Sequence, residues 1–264
     1  MESRQISRAL KTVPFCTDQI TTRDKLILAG LFLSKFDTVG LVSLGFESFT
    51  EAFNVIGYAL GGKPASIKNY RDEFDPLFPN PRKGWHHRSL RANCARILKD
   101  FDDLNLQAFS ALIESFVDSG AAMQAESAPD SDGKDSVFAR RLITGLAAEH
   151  YFESVQPDLP EFSNYNVENT TRYGCGFDFR LNSKTDESFL AIEVKGLKDR
   201  CGSLSFTAKE YQAATTLADS FYLFVVKNFR EAPFHEIYQN PLSGFLLFER
   251  NERVVIQVSW LASV

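Results

Sequence analysis

Two charged residues two positions apart open the question of chemistry. In "FLAIEVKGLKDR", residues 189 to 200, Glu193 and Lys195 interrupt a strand-like apolar run. Residues i and i+2 of a strand point to the same face, so Glu193 and Lys195 share one side of a sheet and Ile192 and Val194 the other. Upstream, Asp178 sits in "GFDFR" between Phe177 and Phe179, which predicts that it projects from the face opposite those two aromatics. Glu149 falls on the stripe Phe138, Leu142, Leu146 and Phe152 of a helix predicted over 136–155. A carboxylate there faces the sheet rather than water, which is costly unless it is paired or binds a cation.

If the strands carrying Asp178 and Glu193 pair, the two carboxylates can converge on one divalent cation. Mg²⁺, or Mn²⁺ in its place, suits such a site because it takes hard oxygen ligands and keeps several waters. A cation so held polarises a phosphodiester and makes water a better nucleophile. Lys195, one pleat away, is placed to orient that water or to stabilise charge developing on the phosphate. Glu149 is placed to hold a water or a second ion. A surface ion pair accounts for Glu193 and Lys195 by themselves; the four residues together favour the metal site, with Asp178 and Glu193 as ligands.

Other chemistries find little support. Cys16, Cys94, Cys175 and Cys201 are scattered without a C-x-x-C pair, so neither a disulfide framework nor a structural zinc is indicated. His86 and His87 have no second ligand pair at useful spacing. The G-x-G of "YGCGFDF" lacks a third glycine and a following helix. No serine or cysteine nucleophile constellation is present. His150 reads as a surface or packed histidine, and Gln212 as a surface residue. Thr207 and Glu210 have the spacing of a capping box, which by itself explains Glu210.

The elements that must position these groups fall into two textures: a helical segment 1–117, an acidic linker 118–135 and an α/β segment 136–264. In the first, "RDKLILAGLFLSKF" and "ESFTEAFNVIGYAL" have helical spacing. After Gly61 and Gly62, Ser66 is the expected N-cap of a short helix that must stop before Pro76, the outline of a helix-turn-helix unit. Basic residues then interleave with an aromatic in "PNPRKGWHHRSLRANCARILKDF", which suits phosphate contact and base packing. Lys68, Asn69, Arg71, Arg82, Lys83, Trp85 and Arg88 are the candidate DNA contacts there. Lys198, with Arg200 and Lys209, lies just beyond the carboxylates; a solvated face is the plain alternative for all of them.

In the α/β segment, "GCGFDFRL", "ESFLAIEVKG", "GSLSFT" and "SFYLFVVKN" read as strands, with a helix over "AKEYQAATTLADS" before the last. A strand, a helix and another apolar strand imply a crossover with parallel neighbours. "GFLLFE" and "RVVIQVSW" are expected to close the chain as a hairpin. The fold class is therefore a mixed α/β (α+β) sheet domain preceded by a mainly helical domain.

The run "GFDFR…FLAIEVKG" resembles the Asp…Glu-x-Lys signature of the PD-(D/E)XK nuclease superfamily, the fold of many restriction endonucleases. It is more closely similar to the nuclease-like domain family named for the C-terminus of the plant NO VEIN protein. That family shows an acidic residue in a preceding helix, a Gly-x-Asp strand, an Ile-Glu-Val-Lys-Gly strand and a Thr-x-x-Glu helix start. Glu149, Asp178, Glu193 with Lys195, and Thr207 with Glu210 match these in order, over roughly residues 136–230. The resemblance implies a metal-dependent endonuclease that leaves a 3′-hydroxyl and a 5′-phosphate. The segment "SIKNYRDEFDPLFPNPRKGWHHR" also resembles an N-terminal region of restriction and defence-associated proteins.

The expected substrate is double-stranded DNA, with RNA left open. A homodimer would supply the two cuts a duplex needs, and sequential nicking by a monomer serves equally. The net charge of −5 does not exclude DNA, because acidity is concentrated in 118–135 and around the carboxylates. Hydrophobic residues at 44% and charged residues at 24% predict a packed core, and 24 phenylalanines predict an aromatic one. The longest apolar runs are too short to span a bilayer and the N-terminal residues lack a signal-peptide core, so the expected location is cytoplasmic. Two other readings fit the same residues: a DNA-binding regulator whose nuclease-like domain is not catalytic, and a structure-selective repair or recombination nuclease.

Overall fold

The computed structural model describes residues 20–85, 88–121, 135–244 and 246–252. Helix α1, Thr22–Lys35, starts at a capping box between Thr21 and Asp24, and every residue from Leu26 to Ser34 is buried. A helix apolar on all sides belongs at the centre of its bundle. Around it lie α2 (Asp37–Ser43), α3 (Phe49–Ala59), α4 (Pro64–Phe74), α5 (Ala92–Phe101) and α6 (Leu106–Ala121). A Cβ on Gly30 would stand 2.5 Å from the Tyr70 Cβ, so α1 and α4 meet backbone to backbone.

Helices α3 and α4 and the Gly61 turn (φ 67°) reproduce the expected helix pair. The start of α4 differs from expectation. Lys63 occupies the N-cap position and Pro64 the first turn, so Ser66 lies inside the helix. Proline at the first turn loses no intrahelical bond and presets φ, which fixes the start three residues earlier. Helix α6 runs to Ala121 and α7 (Asp135–Val155) starts at Asp135, so both ends of the acidic segment are helical. The rest of that segment lies outside the described residues, as do His86 and His87.

The sheet has five strands in the order β1-β2-β3-β4-β5: Tyr165–Asn169, Phe179–Ser183, Phe189–Gly196, Phe221–Lys227 and Phe234–Gln239. Strands β1, β2 and β3 are antiparallel, β4 is parallel to β3, and β5 returns antiparallel to β4. Helix α8 (Ala208–Leu217) supplies the crossover between the parallel pair. It begins at the predicted capping box, with Thr207 Oγ1 accepting from the Glu210 amide and Glu210 Oε2 from the Thr207 amide.

"GSLSFT" is not a strand. Both edges of β3 are taken by β2 and β4, and the far edge of β4 by β5, so no ladder position is left for it beside β3 or β4. "GFLLFE" also forms no strand over its described residues, 246–249; its expected partner at 253–260 lies outside the described residues. The return strand is instead β5, whose polar composition conceals it. Strand β1, largely exposed, is hidden in the same way.

The two faces of the sheet differ. Phe179, Leu181, Ile192, Val194, Phe224 and Val226 face α7, where the Phe152 ring packs 5.0 Å from Phe179 and 4.9 Å from Phe224. Ala191, Phe221 and Ala214 form a smaller cluster under α8. The larger cluster runs without interruption from α1 through α3 and α7 to the sheet. Asn54, buried on α3, stitches the two segments: its Nδ2 donates to the Phe229 carbonyl at 2.8 Å and the Glu231 carbonyl at 3.0 Å.

Asn54→Ala leaves two carbonyls without donors and is expected to destabilise the chain by about 1–3 kcal/mol. Because the core is continuous, helical and sheet signals are expected to fall together in one denaturant transition at a lower midpoint.

Candidate active site

The site is built on the α8 side of β2 and β3. Asp178 immediately precedes β2, yet it already belongs to the ladder: its amide donates to the Ile192 carbonyl at 3.0 Å and its carbonyl accepts from Thr170 at 2.8 Å. Since Phe179 pairs with Ile192, Asp178 stands opposite Glu193. The expected pairing of the two carboxylate-bearing segments is therefore present.

The expected placement of both flanking aromatics on the face opposite Asp178 holds for Phe179 and not for Phe177. Phe179 packs toward α7, whereas Phe177 belongs to the cluster under α8 and stacks on Phe189. Strand alternation starts only at Phe179, because Gly174 (φ 60°) and Gly176 (φ 89°) turn the chain just before it. Gly176 is held against α8 so closely that a Cβ would meet the Lys209 carbonyl at 2.7 Å.

Glu193 is 3% exposed and Asp178 is partly buried. Lys195 Nζ donates to Glu193 Oε1 at 2.5 Å and to Glu210 Oε2 at 2.7 Å, and lies 5.8 Å from the centre of the Phe206 ring. Glu210 thus does two things, capping α8 and fixing the lysine. An ammonium has three protons, so one remains for a further acceptor. Asp178 Oδ2 accepts from the Val194 amide at 2.8 Å.

Burial and the nearby Asp178 push Glu193 well above the usual carboxylate range, and Lys195 offsets this only in part. Burial likewise raises Asp178, to about 6, against the lowering effects of the Val194 amide and Lys195. Burial would lower Lys195, but Glu193 and Glu210 outweigh it and hold the ammonium charged. Three carboxylates around one ammonium leave an excess of negative charge in a poorly solvated place.

That excess is what a divalent cation would relieve, so Asp178 and Glu193 fit as its ligands. Among the described residues no group of three or more His, Cys, Asp or Glu forms a ligand set. Two carboxylates with waters completing the shell suit Mg²⁺, which sheds water reluctantly. Glu149 is buried, and it has partners. Its helix packs against the other face of the sheet, where Gly196 meets Thr144 and Ala148. The structure does not bring Glu149 together with Asp178 and Glu193.

The candidate DNA contacts divide. Lys68, Asn69, Lys83 and Arg88 are exposed, and Trp85 lies between the Arg88 and Arg91 guanidiniums at 5.3 and 5.7 Å. Lys68 also pairs with Asp72 along the helix. Arg71 and Arg82 turn inward: Arg71 binds Asp72 at 2.7 Å and covers the Phe49 and Phe53 rings, while Arg82 binds Asp75 at 2.8 Å and Asp37. Asp75 is 1% exposed, so these two cations neutralise a buried charge. Lys198 binds Glu47 at 2.7 Å and approaches Glu51 at 3.4 Å, joining the sheet segment to α3. Gln212 is exposed.

Two residues of the site's face do not stand out in the sequence. Phe206, beside Lys195, sits in the segment misread as a strand. Arg180, two residues beyond Asp178, is accessible to the same i, i+2 rule that pairs Glu193 with Lys195.

Helices on both sides of a mixed sheet, with two opposed carboxylates and a lysine on one face, define a mixed α/β domain with a charged site on one face of its sheet. The sequence model of the family described as Protein NO VEIN, C-terminal, matches residues 146–239, a stretch holding Asp178, Glu193, Lys195 and Glu210. No curated protein and no solved structure matches the chain. No single helix among the described residues is long and apolar enough to cross a membrane.

The raised carboxylates fix the sign of a pH effect. A carboxyl whose folded pKa exceeds its unfolded value adds stability at low pH, and this is lost as pH rises through the folded pKa. For Asp178 that loss begins near the ordinary carboxylate range and is complete once the pH has passed about 6. Metal-free Asp178→Asn, whose amide oxygen still accepts from Val194, is expected to melt higher than wild type at about pH 8. The gap should close toward about pH 4, with each kcal/mol worth about 2–4 °C.

Proposed function

We propose that this chain is a metal-dependent DNA endonuclease of restriction or defence type. The observation that carries the reading is the opposition of Asp178 and Glu193 across the β2–β3 ladder, with Lys195 bound to Glu193 on the same face. Asp178 and Glu193 would hold Mg²⁺ or Mn²⁺. The cation would supply what the residues lack, polarising the phosphodiester and lowering the pKa of water.

The chain's own groups do the rest. Lys195, kept charged and pointed by Glu193 and Glu210, offers its remaining proton to a phosphate oxygen as negative charge develops there. The Phe206 ring shields that ammonium from water. Glu210, tied to the start of α8, keeps the lysine from swinging away. Attack by water would leave a 3′-hydroxyl and a 5′-phosphate. The exposed surface of Lys68, Asn69, Lys83, Trp85 and Arg88 is the part of the helical segment suited to grip duplex DNA, while Arg71, Arg82 and Lys198 are engaged in holding the fold together.

Supercoiled plasmid incubated with wild type and Mg²⁺ is expected to be nicked or linearised. Lys195→Ala and Glu193→Gln should each lose at least about a hundredfold in rate. Undiminished cleavage without a divalent cation, or by Glu193→Gln, would sink the mechanism. Duplex binding with no cleavage of modified, unmodified or branched DNA would point instead to a regulator.

A separate expectation concerns the basic surface. Arg88→Ala should lower the salt dependence of duplex binding by about one phosphate contact, a slope change of about 0.9. Trp85→Ala should weaken binding without altering the rate of cleavage at saturating enzyme.

A further inference from the structure

Among the described residues, Arg180 stands out for being partly buried without a carboxylate partner. Arg71, Arg82, Arg91 and Arg230 are all in ion pairs with carboxylates, and Arg23, Arg88 and Arg172, which like Arg180 are in none among those residues, are exposed. A carboxylate is nevertheless at hand. Glu168 stands directly opposite Arg180 in the β1–β2 register. Instead of meeting the guanidinium, Glu168 accepts from Asn182 Nδ2 at 3.2 Å. Asn182 Oδ1 in turn accepts from Arg180 Nε at 2.9 Å. The relay through Asn182 spends the Nε proton and leaves both terminal amino groups of Arg180 without an acceptor among the described residues.

The side chain is also held in place. Its register partner on β3 is Ala191, small enough to let the arginine lie across the sheet. The guanidinium carbon rests 4.1 Å from the centre of the Phe189 ring. Stacking on an aromatic and a bond through Nε fix the plane of the group, so little freedom is lost when its outer edge finds a partner. That outer edge is a planar pair of donors, the geometry that grips two oxygens of a phosphate at once.

Its location gives the partner. Arg180 is two residues beyond Asp178 on the same face of the sheet, its backbone about 7 Å along the strand, and its guanidinium extends further from Asp178, toward Asn182 and Phe189. It is a partly buried cation beside a site rich in carboxylates, yet it pairs with none of them. A cation arranged to neutralise that site would contact Asp178 or Glu193, as Lys195 contacts Glu193. Arg180 is arranged to present its free edge to something that arrives.

We infer that Arg180 binds a DNA backbone phosphate neighbouring the one cut at Asp178 and Glu193, and so sets the register of the strand in the site. This rests on the endonuclease reading above. Asn182 and Glu168 act through Arg180 as positioning residues.

The test uses the full chain carrying Glu193→Gln, so that binding can be measured without cleavage. The probes are duplex oligonucleotides taken from a plasmid region that wild type cuts, each with one uncharged methylphosphonate at a position flanking the cut. Arg180→Ala is expected to weaken binding of the unmodified duplex about tenfold or more. It should also reduce the salt slope by about 0.9. One flanking methylphosphonate should weaken the parent by a similar factor and leave Arg180→Ala unaffected. Arg180→Lys should keep the salt slope while losing part of the affinity, and the melting temperature of each variant shows whether it is folded. If wild type cuts DNA but folded Arg180→Ala binds with unchanged affinity and slope, the role of Arg180 is overturned and the nuclease reading stands. If wild type neither binds nor cuts DNA, both fall together.

Discussion

A strand with neighbours on both edges and helices on both faces has nowhere to place a charge except against another charge. Strand β3 is in that position, between β2 and β4 and between α7 and α8. Its α7 face is uniformly apolar. Its α8 face carries Glu193 and Lys195, which can stay there only because each answers the other and Glu210 closes the set from the first turn of α8. The start of the crossover helix, the turn at Gly174 and Gly176, and the entry of Asp178 into the ladder are all arranged around this buried charge. The balance is incomplete, since the carboxylates outnumber the lysine. An apolar face would be a more stable solution for the fold alone. On the proposed function an incoming cation would complete the balance, which would link the energetics of this strand to its chemistry.

Charge is used differently in the helical segment. Arg71 and Arg82 converge on Asp75, Arg91 on Glu73, and Lys198 and Arg230 on Glu47. The pairs with Asp75 and Glu73 are local and largely shielded from water, whereas those of Lys198 and Arg230 with Glu47 cross from the sheet segment. They join the helices to one another and to the sheet, together with Asn54 and the continuous aromatic core. The cations left to face solvent are fewer than the composition suggests, and Arg88 and Arg91 among the arginines lie against Trp85. A basic stretch therefore divides into groups that build the protein and groups that it displays.

Much of the site was legible in the sequence because it obeys short-range rules. The i, i+2 spacing put Glu193 and Lys195 on one face, and the Thr207–Glu210 spacing marked the start of α8. The apolar runs of β3 and β4 with a helix between them required a parallel pair. Each of these depends on neighbours within a few residues, where backbone geometry leaves little choice. The sequence alone also put Asp178 on a segment able to pair with β3, and read "RDKLILAGLFLSKF" as a helix.

Tertiary structure decided the rest, for reasons that no local pattern carries. Whether "GSLSFT" or "FHEIYQ" became a strand depended on which sheet edge was vacant, a property of the assembled sheet. Glu149 and Glu193 both read as site carboxylates in the sequence, but Glu149 is on a helix that packs against the opposite face of the sheet from Glu193. Arg82 and Arg88 are alike in composition and context, and only the position of Asp75 separates an internal ion pair from an exposed guanidinium. Arg180 is set apart by the carboxylate that does not reach it, because Glu168 is diverted to Asn182. Electrostatic pairing acts over a few ångströms in space, and the chain brings those ångströms together only when it folds.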